Sequence, residues 1–232
     1  MRIYTPTDIK DVAWEGVLVP SSGAVEDVKT VPSATVAEPA WWPAETLAAD
    51  LSDGAWPTLN PEQRYVLLRL CCSLHPPRGQ ECYIRQAAIT AALAPYHAVP
   101  ETAMARDLYP HHLNDRGARK FDLHIDKWLR FNSSQGSENP REIVGIEYIK
   151  TYPVIQGYGA GKSSPYWRFT YDAGQPLVGC QSVYVLVEAP DKAGGVRVDL
   201  QLMAEVQTPK RRCAMVIPAN VRLQIRRNID RH

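Results

Sequence analysis

The apolar positions of this chain fall into two textures that meet near Pro140. From Asn60 to Arg130 they cluster at spacings of one, three and four residues, which predicts helices. Asn60-Pro61-Glu62-Gln63 reads as an N-cap, a proline at the first helical position and a capping-box glutamine. The run Tyr65, Val66, Leu68, Leu70 and Cys72 would carry the apolar face of a first helix, closed by His75-Pro76-Pro77-Arg78-Gly79. A second helix is expected from Cys82 to Leu93, and a short third from Pro100 to Tyr109. The fourth, Arg116 to Arg130, has an amphipathic stripe of Phe121, Ile125, Trp128 and Leu129.

Beyond Pro140 the runs shorten and turn residues separate them. Strands are expected over Ile143 to Lys150, Tyr166 to Tyr171, Val183 to Glu188, Val196 to Val206 and Ala214 to Ile217. Asp172-Ala173-Gly174 and Gly194-Gly195 are the strongest turn signals. Too little chain separates these strands for crossover helices, so the pairing should be mostly antiparallel. Ala219 to Arg231 fits a helix or a final strand equally well. The first 45 residues, rich in Pro, Ser, Thr, Val and Ala, read as an extended arm with short strands such as Val12 to Val19. Trp41 and Trp42 should dock on a core. The expected fold is therefore α+β: an acidic arm over 1–59, a helical region over 60–131 and a β-rich region over 132–232.

Composition narrows the classes. In 232 residues, 26 Lys and Arg face 25 Asp and Glu, and 45% of positions are hydrophobic, which excludes a charged tail or a disordered chain. The near-neutral total conceals a segregation. Residues 1–60 carry a net −6, 61–130 a net +3, 131–206 a net −2 and 207–232 a net +6. The basic end could meet an anionic partner or the chain's own acidic arm. Apolar runs such as Val183 to Val187 are too short for a membrane-crossing helix, and Met1 to Trp14 lacks the apolar core of a signal peptide. The five cysteines, an odd number, fit free thiols in a reducing cytosol. The expectation is a cytoplasmic protein with no membrane partner.

Five constellations invite chemistry. The pair of expected helices over 101–130, with YWRFTY as a wing, suggests a helix-turn-helix or winged-helix element that places Arg116, Arg119, Lys120, His124 and Lys127 against DNA or RNA. Asp122 and Asp126 on the same face oppose that reading. Gly157 to Ser164 (GYGAGKSS) resembles a phosphate loop, but Gln156 stands where that pattern needs glycine and a strand follows, leaving Lys162 as a simple phosphate contact. Asp199 and Glu205, with Lys210 beyond, suggest a Mg²⁺-dependent nuclease, although six residues of strand span about 20 Å. Cys71, Cys72, His75, Cys82 and His111-His112 lack the spacing of a structural zinc site, and a cysteine nucleophile beside His75, His97 or His124 is equally unspecific. Arg211, Arg212, Arg222, Arg226, Arg227 and Arg231 offer forks for phosphate or carboxylate. The sequence thus favours nucleic-acid binding through the helix pair and the basic end. A protein that self-assembles through its acidic arm and a Mg²⁺-dependent nuclease are the alternatives. No cofactor is expected apart from the nuclease's Mg²⁺, a homo-oligomer is a candidate partner, and enzymatic activity is left undecided.

Overall fold

Three β-sheets organise the chain. The computed structural model describes residues 2–4, 9–21, 31–44, 46, 60, 62–76, 82–113, 119–126, 129–133, 144–150, 154–170, 177–208 and 212–226. The strands, in chain order, are β1 (Arg2–Tyr4), β2 (Val12–Val17), β3 (Val19–Pro20), β4 (Ser33–Ala37), β5 (Ala40–Pro43), β6 (Gln63–His75), β7 (Tyr83–Pro95), β8 (Met104–Tyr109) and β9 (His112–Leu113). They continue as β10 (Arg119–Ile125), β11 (Phe131–Ser133), β12 (Val144–Lys150), β13 (Val154–Tyr158), β14 (Tyr166–Thr170), β15 (Gly179–Pro190), β16 (Gly195–Gln207), β17 (Arg212–Val216) and β18 (Val221–Arg226).

The expected helical half is corrected here. The first two predicted helices are the long strands β6 and β7, the third is β8, and β10 occupies the middle of the fourth. The physical reason is plain in β6, which buries residues on both faces, Leu67, Leu68, Cys71 and Cys72 among them, and periodicity cannot separate such a strand from a buried helix. The capping signal is real but serves a turn. The Asn60 side chain accepts the Glu62 amide at 3.0 Å, and its carbonyl accepts the Gln63 amide at 3.0 Å, just before β6. In β10 the alternation Leu123, Ile125 decides, both being buried. Strands are present at each stretch expected after Pro140, and the ambiguous last stretch holds the strand β18. The Asp172-Ala173-Gly174 turn lies outside the described residues.

Sheet I has the order β2-β4-β6-β15-β8, with β5 also on β6. Sheet II has the order β3-β17-β16-β7-β14-β13-β9, with β18 also on β16. Sheet III has the order β1-β12-β10-β11, and its β1–β12 pair is parallel. The described strands of 1–59 are spread over all three sheets, and Trp41 and Trp42 pair with Leu68 and Leu67 of β6.

Sheets I and II share the main core. Leu68, Leu70, Val183, Val185 and Val187 of sheet I share one buried cluster with Ile89, Ala91, Leu93, Val198, Leu200, Leu202, Trp167 and Phe169 of sheet II. Each buried aliphatic side chain of this size contributes about 1.5–3 kcal/mol relative to exposure. β6 hands over to β7 and β15 to β16, so the two longest pairings, one per sheet, are connected strand by strand. The second handover runs through the 3-10 turn Asp191–Ala193 and Gly194, whose φ of 65° is left-handed. A Cβ there would also stand 2.7 Å from the His97 ring, so the predicted Gly194-Gly195 turn needs its first glycine twice over.

Both flanks of this sandwich are bridged by chain. On one, β2 of sheet I passes through fully buried Leu18 into β3 of sheet II. On the other, β8 of sheet I passes through the cis Tyr109–Pro110 bond into β9 of sheet II. Sheet III covers the opposite face of sheet I. Tyr148 sits edge-on to Tyr109 at 5.0 Å and Tyr184 at 6.3 Å, and Phe131 lies 6.0 Å from Tyr109. β15 is therefore buried on both sides, which explains its unbroken apolar run from Val183 to Val187.

Candidate functional site

Among the described residues, no sheet packs on the face of sheet II that points away from the core, which exposes Tyr158, Arg168, Ala92 and Met203. Cross-strand partners share a face, so the register maps it directly. One row reads Tyr158, Tyr166, Thr90 and Gln201. The next reads Gln156, Arg168, Ala88 and Met203. On the far side Ala92 faces Asp199, which faces Arg222, and Ala94 faces Arg197, which faces Gln224. The middle strand β7 thus offers Ala88, Thr90, Ala92 and Ala94, a low floor with no large side chain.

Cations dominate the rim of that floor. Arg168 and Arg212 are exposed, and Arg85, Arg197 and Arg222 show side-chain exposures of 43%, 39% and 62%. Two carboxylates answer them. Asp199 accepts the Arg222 Nε at 2.8 Å and lies 3.5 Å from the Arg197 Nε, while Glu205 lies 3.9 Å from the Arg85 Nε. Arg85 is the extra residue of a β-bulge, since Gln86 faces Glu205 and Ile84 faces Val206. Arg212 donates from Nε to the Gln207 side chain at 3.0 Å. Among these residues five guanidiniums face two carboxylates. The exposed apolar groups on the same face are Met203 and Tyr158, the latter stacked on Tyr166 at 4.8 Å.

The structure redistributes the residues singled out in the sequence. Arg119, Lys120 and His124 lie on β10 of sheet III, paired with Lys150, Ile149 and Gly145 of β12, and form no recognition helix. The helix-turn-helix and winged-helix reading, and nucleic-acid binding through it, is overturned by that strand. Arg116, Lys127, Lys210 and Arg211 lie outside the described residues. Lys162 sits in the β13–β14 loop with its amide given to the Gly159 carbonyl at 3.0 Å, and the Gly161 amide goes to Ala105 at 2.6 Å, so neither amide is left for a phosphate. Asp199 and Glu205 do share the outer face of β16, but each has its own arginine. No group of three or more metal-ligating side chains occurs among the described residues. Within the acidic stretch over 1–59, where short strands are expected, β2, β4 and β5 are strands of sheet I.

None of the five cysteines is joined in a disulfide. Burial pushes the Cys72 thiol far above its ordinary value, the opposite of what a nucleophile requires. His75 instead meets the Thr35 hydroxyl at 3.1 Å, and His97 packs edge-on to Tyr96 at 4.9 Å. Sequence reasoning missed Arg85, Arg168, Arg197, Tyr158, Tyr166 and Met203 as one surface. The signal was the polar set of alternate positions in VRVDLQLMAEVQ, which becomes a surface only once β7 and β14 are placed beside it.

No family model matches the chain, and no curated protein matches it. Among solved structures it is similar to Clostridium perfringens delta-toxin, with a TM-score of 0.43 and 7% identity over 90% of this chain and 88% of that one. A structure described as a pore forming protein gives a TM-score of 0.42 and 8% identity over 90% and 89% of the two chains. The Clostridium perfringens NetB toxin in the membrane inserted form gives 0.35 and 9% over 91% and 94%. Likenesses of this order assign neither a family nor an activity.

Proposed function

We propose that this protein is a non-catalytic membrane-surface binder that lays the outer face of sheet II on an anionic lipid bilayer. The observation that carries the reading is the excess of arginine on a small-residue face that also exposes Tyr158 and Met203. A bilayer surface accepts all three at once: guanidiniums at phosphate, tyrosine at the headgroup level and a thioether just below it. The alanines at Ala88, Ala92 and Ala94 put no bulky side chain between the flanking arginines. Five thiols outside any disulfide fit a reducing compartment, and the cytoplasmic leaflet is the one rich in anionic lipid. The expectation of no membrane partner came from short apolar runs. Among the described residues no helix is long and apolar enough to cross a membrane, which says nothing of strands or of surface binding.

Vesicle sedimentation tests the proposal. The protein should pellet with phosphatidylcholine vesicles containing phosphatidylserine and stay in solution with phosphatidylcholine alone. Each basic side chain near such a surface is worth about 1 kcal/mol, so Arg168→Gln with Arg222→Gln should weaken partitioning roughly thirtyfold. Equal binding to both vesicle types, or a double variant that partitions as the native chain does, would overturn the reading.

We further propose that copies associate along β2. This strand ends sheet I and leaves Val12 46% and Val17 56% exposed, the arrangement that invites another strand. Multi-angle light scattering should show an assembly that Val12→Lys with Val17→Lys dissolves. A native chain that stays monomeric with and without anionic vesicles would count against it.

A further inference from the structure

Four of the five guanidiniums named on the outer face of sheet II already have a side-chain partner. Arg85 lies 3.9 Å from Glu205, Arg197 and Arg222 lie 3.5 and 2.8 Å from Asp199, and Arg212 donates to Gln207 at 3.0 Å. Arg168 is exposed, and its side chain has no ion-pair or hydrogen-bond partner among the described residues. Its cross-strand neighbours are Gln156 and Ala88, and beyond Gln156 the row ends on exposed His112 of β9. Strands β9, β13 and β14 contain no Asp or Glu. The Gln156 carbonyl oxygen accepts the Tyr158 hydroxyl at 3.1 Å, which leaves its amide nitrogen to donate elsewhere. His112, Gln156 and Arg168 thus form a row of donors with no carboxylate on their own strands to receive them. The row spans two strand spacings, about 10 Å.

The adjacent row adds an aromatic surface. Tyr158 and Tyr166 stack at 4.8 Å with 19° between their planes, and Tyr158 is 40% exposed. Arg168 is the diagonal neighbour of Tyr158 across the β13–β14 pair. Such neighbours stand about 7–8 Å apart, within reach of a long side chain.

We propose that this corner of sheet II is a headgroup site and that it takes a phosphorylated inositol lipid. The inference rests on the anionic-bilayer reading above and narrows it to one headgroup class. Such a headgroup carries two anionic phosphates on one rigid polyol ring. The Arg168 fork takes one phosphate, His112 takes the other, and the Gln156 amide donates between them. The C–H face of the ring lies on Tyr158. An amino headgroup fits worse. Its ammonium would stand beside Arg168, with no carboxylate on these three strands to offset the repulsion.

Sedimentation of the full chain with two kinds of phosphatidylcholine vesicle tests the assignment. One kind carries phosphatidylinositol monophosphate and the other phosphatidylserine, at matched surface charge. The native chain should partition about tenfold more tightly to the first, the gain from one charge-assisted hydrogen bond. His112→Ala with Gln156→Ala, changes at an exposed and a half-buried position, should remove that preference. Soluble inositol bisphosphate should release the native chain from the phosphoinositide vesicles far more readily than from the phosphatidylserine ones. Equal partitioning of the native chain to both kinds would overturn the assignment and leave the anionic-bilayer reading standing, whereas binding to neither would remove both. A preference that survives in the double variant would place the headgroup elsewhere and overturn the assignment. Equal release from both kinds of vesicle would show competition by charge alone and would overturn it as well.

Discussion

Replacing Trp167 by alanine should lower the unfolding free energy by about 3–5 kcal/mol, read as a drop in the urea midpoint at unchanged slope. Trp167 is completely buried in the row where Ile89, Leu202 and Trp167 cross the core face of sheet II. Domains of this kind are stable by only about 5–15 kcal/mol, so the loss would be a large share of the total. Trp167→Phe separates the causes. The indole Nε1 is buried without a hydrogen-bond partner among the described residues, so phenylalanine removes volume but breaks no bond. Its cost should stay at about 1–2 kcal/mol. A phenylalanine variant as unstable as the alanine one would mean that the indole N–H is bonded after all.

How much of this could be read from the sequence depends on whether a strand is exposed on one face. β16 alternates in the sequence as it does in the structure, Val196, Val198, Leu200, Leu202, Ala204 and Val206 inward, and its extent is legible. β6 and β15 bury both faces, so their residues carry no alternation to read, and β6 was open to a helical assignment. In β7 the alanines misled: Ala87 and Ala91 are core residues, while Ala88 and Ala92 form the floor of the outer face. High helix propensity yields there to a strand slot between β14 and β16, where small side chains suit both faces. The cationic surface was less legible than the fold. Its arginines come from β7, β14, β16, β17 and β18, and only the register brings positions as distant as Arg85 and Arg222 to one face. Charge segregation along the chain pointed to the C-terminal end, yet Arg168 and Arg197 come from a segment that is net negative.

Gly157→Ala should destabilise the protein by about 3 kcal/mol, at the upper end for an overpacked site, although its backbone conformation is open to alanine. Gly157 lies on β13 opposite Trp167, and its amide is given to the His111 carbonyl at 2.8 Å. A Cβ at this position would overlap the Pro110 carbonyl oxygen, stand 2.5 Å from Leu108 Cδ1 and 3.0 Å from Trp167 Cδ1. The first of these is backbone, at the crossing from sheet I to sheet II, and it can yield only if the flank of the sandwich opens. Thermal melts of the single and double variants locate the strain. If the Trp167 ring were the main obstacle, Gly157→Ala would cost little in a Trp167→Ala background. Because the nearest obstacle is the Pro110 carbonyl, most of the penalty should persist there, with a coupling below about 1 kcal/mol. Gly157→Ala should also leave anionic-vesicle binding of the folded fraction intact, because Arg168 and Arg222 sit on the opposite face from the clash. A folded Gly157→Ala protein that loses vesicle binding would place the lipid contact on the β8–β9 flank and not on the arginine face.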